Sequence, residues 1–260
     1  MPKSTAVEAT TKFDQILRAS AQLPGVQISR ESYLRRELKP YCPAEQIDRA
    51  VATSPAEAGV SQSVVNKVAS SVIKNEATRV TTISAAAGLP GSFAMIGTVP
   101  ADLAQYYGHV LRTVQKLAYI YSWPDLFDGD GLDSTTENML TLFIGVMLGV
   151  NAAQVGVNKT AAMIAQHVAK KLPQKALTNG TIYPIVKKVA SMIGAQMTKQ
   201  IFAKGASKVV PVVGAVFSGG LTFATFLPMA KRLQKHLSNL PLATQEPVVV
   251  NAEVIRIEEP

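Results

Sequence analysis

The chain has 260 residues, of which 47% are hydrophobic and only 17% charged, and its formal net charge is +8. This length suffices for one large domain or two small ones, and the single cysteine, Cys42, excludes an internal disulfide. Residues 1–17 mix charges of both signs without a continuous apolar run, so we expect a cytoplasmic protein without a secretory signal.

The spacing of apolar residues predicts helix along nearly the whole chain. Apolar side chains recur at three and four positions, and good helix formers such as Ala, Leu, Met, Lys and Gln are abundant. We therefore predict an all-α fold, a single bundle of long Gly/Ala-rich helices with a flexible C-terminal tail. The expected helices are at about residues 6–22, 29–38, 44–53, 61–87, 99–122, 135–172, 183–204 and 208–238.

Turn and capping signals set the boundaries between these helices. Gly- and Pro-containing turns lie at 23–26, 88–91, 178–180 and 239–241. Ser134, with Glu137 three residues later, has the pattern of a capping box that begins a helix. The division we expect is an N-terminal helical extension at 1–55, a main helical domain at 56–240 and an acidic flexible tail at 241–260.

Three uncharged stretches have the length of a membrane span. Val80–Ala101, Asn138–Asn158 and Val209–Ala230 each approach the roughly 20 helical residues that cross a bilayer core. Prolines and glycines interrupt the first and the third, and Asn151 and Gln154 lie near the end of the second, so this content favours buried helical hairpins over stable spans. Insertion of these segments remains the alternative.

A polar stripe lies along the helix expected at 99–122. Its members follow one another at three- and four-residue intervals, so they share one helical face. They are Asp102, Gln105, His109, Arg112 and Lys116. Asp102, His109 and Arg112 are the candidate catalytic residues, because an acid, an imidazole and a guanidinium can perform general acid–base chemistry. The alternative is that Asp102 caps the helix while the others make structural hydrogen bonds, and this reading is favoured.

An acidic turn at 123–137 superficially resembles a calcium loop. With Gly131 at the sixth loop position, Asp128 and Asp130 occupy ligand positions, but the first ligand position falls on Leu126. The turn is therefore better explained as a solvated connection. No zinc cluster and no GxxxxGK[ST], GxSxG, HExxH or GxGxxG motif occurs, so we predict neither a metal nor a cofactor.

The distribution of charge is the strongest signal in the sequence. Residues 1–137 have a net charge of −1, and residues 246–260 have a net charge of −3. Between them, residues 138–245 contain 12 basic residues and no acid. Eleven of these 12 are lysine, whose long stem suits anionic lipid headgroups. Carboxylates of the N-terminal half or an external polyanion must balance this charge.

Two segments resemble the EcsC family of bacterial proteins. They are AAGLPGSFAMIGTVPADLAQYYGHVLRTVQKLAYIYSW at 86–123 and SKVVPVVGAVFSGGLTFATFLPMAKRLQKHL at 207–237. The shared features are a Gly/Pro-rich apolar turn, a Pro-Ala-Asp helix start at 100–102 and a VVPVVGAV segment before a basic helix. The resemblance covers about residues 60–240, and it implies a helical, membrane-associated protein without supplying catalytic residues.

These observations predict a non-enzymatic, amphitropic protein at the inner face of the cell membrane. The expected lipid-binding residues are Lys159, Lys170, Lys171, Lys187, Lys188 and Lys199. Anionic phospholipid is the expected partner, and nucleic acid is disfavoured because no zinc-finger, helix-turn-helix, RNP or Arg-rich signature accompanies the charge. The alternatives are a lipid-directed enzyme using the stripe on helix 99–122, and a soluble helical scaffold or toxin-like protein that binds a protein partner.

Overall fold

Ten α-helices account for most of the residues that the computed structural model describes. The structure describes the backbone of residues 3–87, 95–96, 99–127, 131–167, 171–205 and 214–244. Within these ranges it omits the side chains of 3–9, 82–87, 95–96, 99–102, 167, 196–205 and 214–223. The helices are α1 (Lys3–Ala21), α2 (Arg30–Leu38), α3 (Ala44–Ala52), α4 (Gln62–Ala87), α5 (Ala101–Ile120), α6 (Ser134–Met147), α7 (Asn151–His167), α8 (Gln174–Thr178), α9 (Tyr183–Gly205) and α10 (Gly214–Ser238).

Strand structure is minimal in the described ranges. β1 (Met95–Ile96) pairs antiparallel with β2 (Val99–Pro100), and a short 3₁₀ turn, Pro241–Ala243, follows α10. The all-α prediction is therefore confirmed. The tail predicted at 241–260 lies outside the described residues from 245 onward.

Two central helices, α5 and α6, lie at the middle of the bundle. From Val114 to Trp123 every side chain at the end of α5 is buried, and α6 is buried throughout Thr135–Met147 except at Asn138. Helix α4 packs between α10 and α5, α1 packs against α9 and α5, and α6 packs against α7 and α9. Phe13 of α1 and Tyr33 of α2 belong to the same hydrophobic core as the rest of the bundle. The N-terminal helices thus contribute directly to the common core.

A buried arginine fixes the arrangement of α2, α3 and the end of α5. The Arg30 guanidinium donates hydrogen bonds to the carbonyl oxygens of Val51 and Thr53, both at 2.8 Å, and of Ala50 and Trp123 at 3.3 and 3.2 Å. The carbonyls at the end of a helix lack partners within the helix, and a cation there also interacts favourably with the helix dipole. Arg30 therefore caps α3 and anchors it to the end of α5.

The single helix expected at 135–172 is wrong, because a turn separates α6 from α7. Gly149 has φ +80°, a conformation that glycine adopts without strain. Its N–H donates to the Val146 carbonyl at 3.0 Å, and the Val150 N–H donates to the Gly145 carbonyl at 2.8 Å. The Arg232 guanidinium of α10 also donates to the carbonyl of Met147, the last residue of α6. The short helix α8 was not predicted at all.

The capping box expected at Ser134 is also wrong. Asp133 is the N-cap, and its carboxylate accepts from the Thr136 N–H at 2.7 Å. Asp and Ser are both strong N-cap residues, and the sequence places them side by side. Since Ser134 is the first residue of α6, Glu137 does not close a capping box and forms an ion pair with Arg18 of α1 instead.

Among the helices in the described part of the chain, none combines the length and the hydropathy needed to cross a bilayer. Asn138–Asn158 is divided between α6 and α7, whereas Val80–Ala101 and Val209–Ala230 each include residues outside the described ranges.

Candidate functional site

A buried carboxylate, Glu76, lies on the face of α4 that packs against α5. Its side chain is 1% exposed, and it follows the buried Ala69, Val72 and Ile73 along one helical stripe. An isolated charge at such a position is costly unless cations and hydrogen-bond donors compensate it. The residues that compensate Glu76 come from the polar stripe of α5.

Three side chains of α5 converge on Glu76. The Lys116 ammonium lies 2.6 Å and Arg112 Nε 3.3 Å from Glu76 Oε1, and His109 Nδ1 lies 2.8 Å from Oε2. Residues 109, 112 and 116 share one helical face, which explains how one carboxylate contacts all three. The sequence stripe thus becomes a buried ionic cluster, and we call these four residues the Glu76 cluster.

The electrostatics of the cluster favour an ionised Glu76. Burial raises the pKa of this carboxyl, but the hydrogen bond from His109 and the charges of Lys116 and Arg112 outweigh it and lower the pKa to about 2. The pKa of Lys116 is lowered as well, because its burial outweighs its attraction to Glu76. Both pKa values are lowered, but for different reasons: donors and cations outweigh burial at Glu76, whereas burial outweighs the single carboxylate that Lys116 shares with Arg112 and His109.

The ionised state of Glu76 also determines the tautomer of His109. A carboxylate can only accept hydrogen bonds, so the His109 Nδ1 must carry the proton that it donates to Oε2. The other ring nitrogen, Nε2, is then free of the proton in the neutral imidazole. This arrangement of carboxylate and imidazole orients a histidine, as in many catalytic sites.

A surface cleft of about 280 Å³ opens beside the Glu76 cluster. One wall is the α5 face that carries Gln105, Gly108, His109 and Arg112. The opposite walls come from Arg79 of α4 and from the turn after α1, and the residues of that turn in the cleft are Leu23, Pro24 and Val26. The Arg112 guanidinium also donates to the Gly25 carbonyl of this turn. We refer to this site as the α4–α5 cleft.

Two of the three candidate catalytic residues therefore meet. His109 and Arg112 contact the same carboxylate and line the same cleft, whereas the side chain of Asp102 lies outside the described residues. Glu76 was missed by the sequence reasoning. The available signal was an acid on an otherwise apolar helical stripe, in a segment where it is the only acid between Glu57 and Asp102.

The acids of the turn at 123–137 have separate structural partners. Asp125 accepts from the Tyr119 hydroxyl at 2.9 Å, Asp133 caps α6, and Glu137 pairs with Arg18. Burial raises the pKa of Glu137, and the Arg18 charge opposes this rise only in part. Asp128 and Asp130 lie outside the described residues. In the part of the chain that is described, no group of three or more His, Cys, Asp or Glu could hold a metal ion.

Three of the predicted lipid-binding lysines whose side chains are described lie on α7 and α9. Lys159, Lys187 and Lys188 are exposed, and none of the three forms an ion pair with a carboxylate among the described side chains. The Lys187 ammonium lies 4.6 Å from the centre of the Tyr183 ring. Lys171 is also exposed, whereas the side chains of Lys170 and Lys199 are outside the description.

Lys159 and Lys188 lie near the same helix contact. Gly156 of α7 lies beside α9, since a Cβ at this position would be in van der Waals contact with Ile185 Cγ2 at 3.4 Å. Lys159 follows Gly156 by three residues and Lys188 follows Ile185 by three residues, so each lies one turn from the contact on its own helix. The two helices thus bring these lysines to one region of the surface.

Two exposed apolar side chains accompany the lysines. Val155 is 48% exposed and lies one turn before Lys159, and Met192 is 41% exposed and lies one turn after Lys188. Together with Tyr41, they are the exposed large hydrophobic residues of the described chain. We call Val155, Lys159, Lys187, Lys188 and Met192 the α7–α9 surface.

No protein-family model, curated protein or solved structure that was compared with this chain matches it. The resemblance to the EcsC family therefore stays a prediction from the sequence.

Proposed function

We propose that the protein is a membrane-associated, amphitropic helical protein that binds anionic phospholipid through the lysines of its C-terminal half. The observation that carries this proposal is the α7–α9 surface, where exposed lysines without carboxylate partners lie beside exposed Val155 and Met192. Lysine stems and apolar side chains enter the interfacial region of a bilayer, while the ammonium groups remain with the headgroups. The cytoplasmic face of the cell membrane supplies such headgroups.

The composition of the acid-free half supports the same proposal. Residues 138–245 contain 12 basic residues and no acid, so they cannot neutralise one another. A lysine near an anionic membrane surface contributes about 1 kcal/mol of binding free energy, and the attraction decays within a Debye length. The binding surface we propose comprises Lys159, Lys171, Lys187 and Lys188, together with Lys170 and Lys199, which are assigned to it from sequence alone.

Flotation with lipid vesicles tests the proposal. The purified chain is mixed at low salt with vesicles of phosphatidylglycerol and phosphatidylcholine, or with phosphatidylcholine alone. We expect flotation with the anionic vesicles only. The triple variant K159Q/K187Q/K188Q is expected to partition about 100-fold less, since three lysines contribute about 3 kcal/mol near an anionic surface.

A charge-matched variant in the N-terminal half is the control. Lys39, Arg49 and Lys67 are exposed, and their replacement by Gln removes the same charge from another part of the molecule. This variant should retain most of the vesicle binding. The proposal fails if the unaltered chain does not float with anionic vesicles, or if the two triple variants lose binding equally.

A further inference from the structure

The α4–α5 cleft carries more positive charge than its carboxylate can neutralise. Arg112 and Lys116 share Glu76, and Arg79 is exposed without an ion pair to any described carboxylate. With His109 counted as neutral, two positive charges at this site remain uncompensated among the described side chains. Such a surplus beside a concave surface attracts an anion.

The guanidinium of Arg112 is held in place for a ligand. Its Nε donates to Glu76 at 3.3 Å and its NH1 group donates to the Gly25 carbonyl. A guanidinium has five N–H donors, so these two hydrogen bonds leave three donors for a ligand. Because the side chain is already fixed, binding an anion costs little further conformational entropy.

Two other polar side chains of the cleft can donate hydrogen bonds as well. Arg79 and the amide of Gln105 are both exposed, and neither has a hydrogen-bond partner among the described residues. His109 lines the same cleft, and its Nε2, which carries no proton in this tautomer, can accept a hydrogen bond from a hydroxyl group of the ligand. The apolar residues of the α1–α2 turn, Leu23, Pro24 and Val26, form the other side of the cleft.

We propose that the α4–α5 cleft binds a phosphate monoester, with Arg79 and Arg112 contacting the phosphate oxygens and Gln105 and His109 completing the site. A phosphate monoester carries nearly two negative charges at neutral pH, which matches the two uncompensated positive charges, whereas a carboxylate carries one. Arginine pairs with phosphate through two parallel hydrogen bonds. The volume of about 280 Å³ accommodates the phosphate and a small organic group against the apolar wall.

This site is independent of the α7–α9 surface, since the two are built from different helices. Calorimetric titration of the full chain with inorganic phosphate and with glycerol 3-phosphate tests whether the α4–α5 cleft binds a phosphate compound. We expect saturable binding of one ligand per chain. R79Q should weaken it about ten-fold, corresponding to one charge-assisted hydrogen bond. Q105E introduces a carboxylate into the cleft and should abolish binding, and both replaced side chains are exposed, so the variants should fold.

K74Q is the matched control, because Lys74 is an exposed lysine on α4 that does not line the cleft. This variant should bind phosphate within about two-fold of the unaltered chain, since Lys74 lies on another side of α4 and cannot contact a ligand in the cleft directly. The proposal is overturned if the unaltered chain shows no saturable binding of either phosphate compound. It is equally overturned if K74Q and R79Q weaken binding to the same extent.

A second arm distinguishes a free phosphate compound from a lipid headgroup. Phosphatidic acid carries a phosphate monoester, so vesicles containing it are tested with the K159Q/K187Q/K188Q chain, with and without R79Q. Vesicle binding that depends on Arg79 and is inhibited by inorganic phosphate supports the site with lipid as its ligand. Phosphate binding in solution with no Arg79-dependent vesicle binding supports the site with a small free ligand.

Discussion

Glu76 stabilises the bundle through the three side chains of α5 that it holds. Lys116 and Glu76 are both buried. Among the described side chains, Lys116, Arg112 and His109 all pair with the carboxylate of Glu76. Replacing a buried ion pair by apolar residues is often tolerated, whereas removing only one partner leaves an uncompensated charge. The position is therefore more sensitive to a single substitution than to a matched pair of substitutions.

Glu76→Gln is expected to lower the free energy of unfolding by about 3 kcal/mol at neutral pH, the lower part of the range for breaking a buried ion pair. Burial raises the pKa of Glu76, but the hydrogen bond from His109 and the charges of Lys116 and Arg112 together lower it to about 2 from an ordinary value of 4.5. Its contribution is therefore complete above about pH 4.5 and is lost as the pH falls toward 2. Urea unfolding at several pH values measures both effects.

Glu57→Gln is the control for this prediction, since Glu57 is an exposed acid without an ion pair among the described side chains. Its effect should stay within about 0.5 kcal/mol, as for most surface substitutions. A loss of stability equal to that of Glu76→Gln would contradict the structural role of the cluster. A difference between Glu76→Gln and the unaltered chain that persists below pH 2 would contradict the assigned charge state.

The residues of the candidate site could be predicted only in part. The spacing of His109, Arg112 and Lys116 was sufficient to place them on one helical face. Their shared partner lies 33 to 40 positions earlier in the chain, and helical periodicity gives no information on which helix faces which. The place of Arg79 in the cleft could not be predicted either, because it depends on the packing of α4 against α5.

At the scale of the helices, the sequence was most reliable where Gly and Pro mark the turns. The predicted ends of α2, α3, α4 and α9 differ from the observed ends by only one residue. The break between α6 and α7 was missed because the turn has no proline and the residues on either side of Gly149, Leu148 and Val150, continue the apolar pattern. It depends on the single Gly149 and on Arg232, which comes from a distant helix. A tertiary contact of this kind has no local signature.

The close approach of α6 to α7 and α9 depends on the absence of a side chain at Gly145. A Cβ there would lie 2.6 Å from Ala153 Cβ and 2.6 Å from Val189 Cγ1. Gly145→Ala should therefore destabilise the protein by about 1–2 kcal/mol through overpacking, although Ala gains about 1 kcal/mol of helix propensity. Thermal and urea unfolding measure the difference.

Gly131→Ala provides the comparison, because a Cβ at Gly131 meets nothing within 4 Å. Its stability should be unchanged within about 0.5 kcal/mol. If Gly145→Ala were as stable as Gly131→Ala, the three helices would have to separate without cost. That result would contradict the tight packing that α6 shows against α7 and α9.

At the scale of the whole molecule, the described cationic side chains fall into two groups, those paired with a carboxylate and those without a carboxylate partner. In the N-terminal half, Glu76 and Glu137 are buried and paired with cations of the same half. On the α7–α9 surface, the lysines have no carboxylate partner among the described side chains. The division of acids along the sequence was sufficient to predict this contrast. It could not predict the exposure of Val155 and Met192, because similar apolar residues on α7 and α9 are buried.

The apolar residues of the α7–α9 surface lead to a prediction that separates them from the lysines. Salt screens the attraction between lysines and lipid headgroups, whereas apolar burial is not screened. At high salt, the remaining binding to phosphatidylglycerol vesicles should depend on Val155 and Met192. Replacing both by Ser should lower this remaining partition about ten-fold, since burying the exposed half of each side chain contributes about 0.7 kcal/mol.

Tyr41→Ser is the control, because Tyr41 is the remaining exposed large hydrophobic residue of the described chain and lies far from α7 and α9 in sequence. It should leave vesicle binding unchanged at every salt concentration. Vesicle binding that disappears completely at high salt in the unaltered chain would mean that lysines alone hold the protein at the surface. Equal losses in V155S/M192S and Tyr41→Ser would instead locate the contact elsewhere, because only the first variant alters the surface that adjoins Lys159 and Lys188.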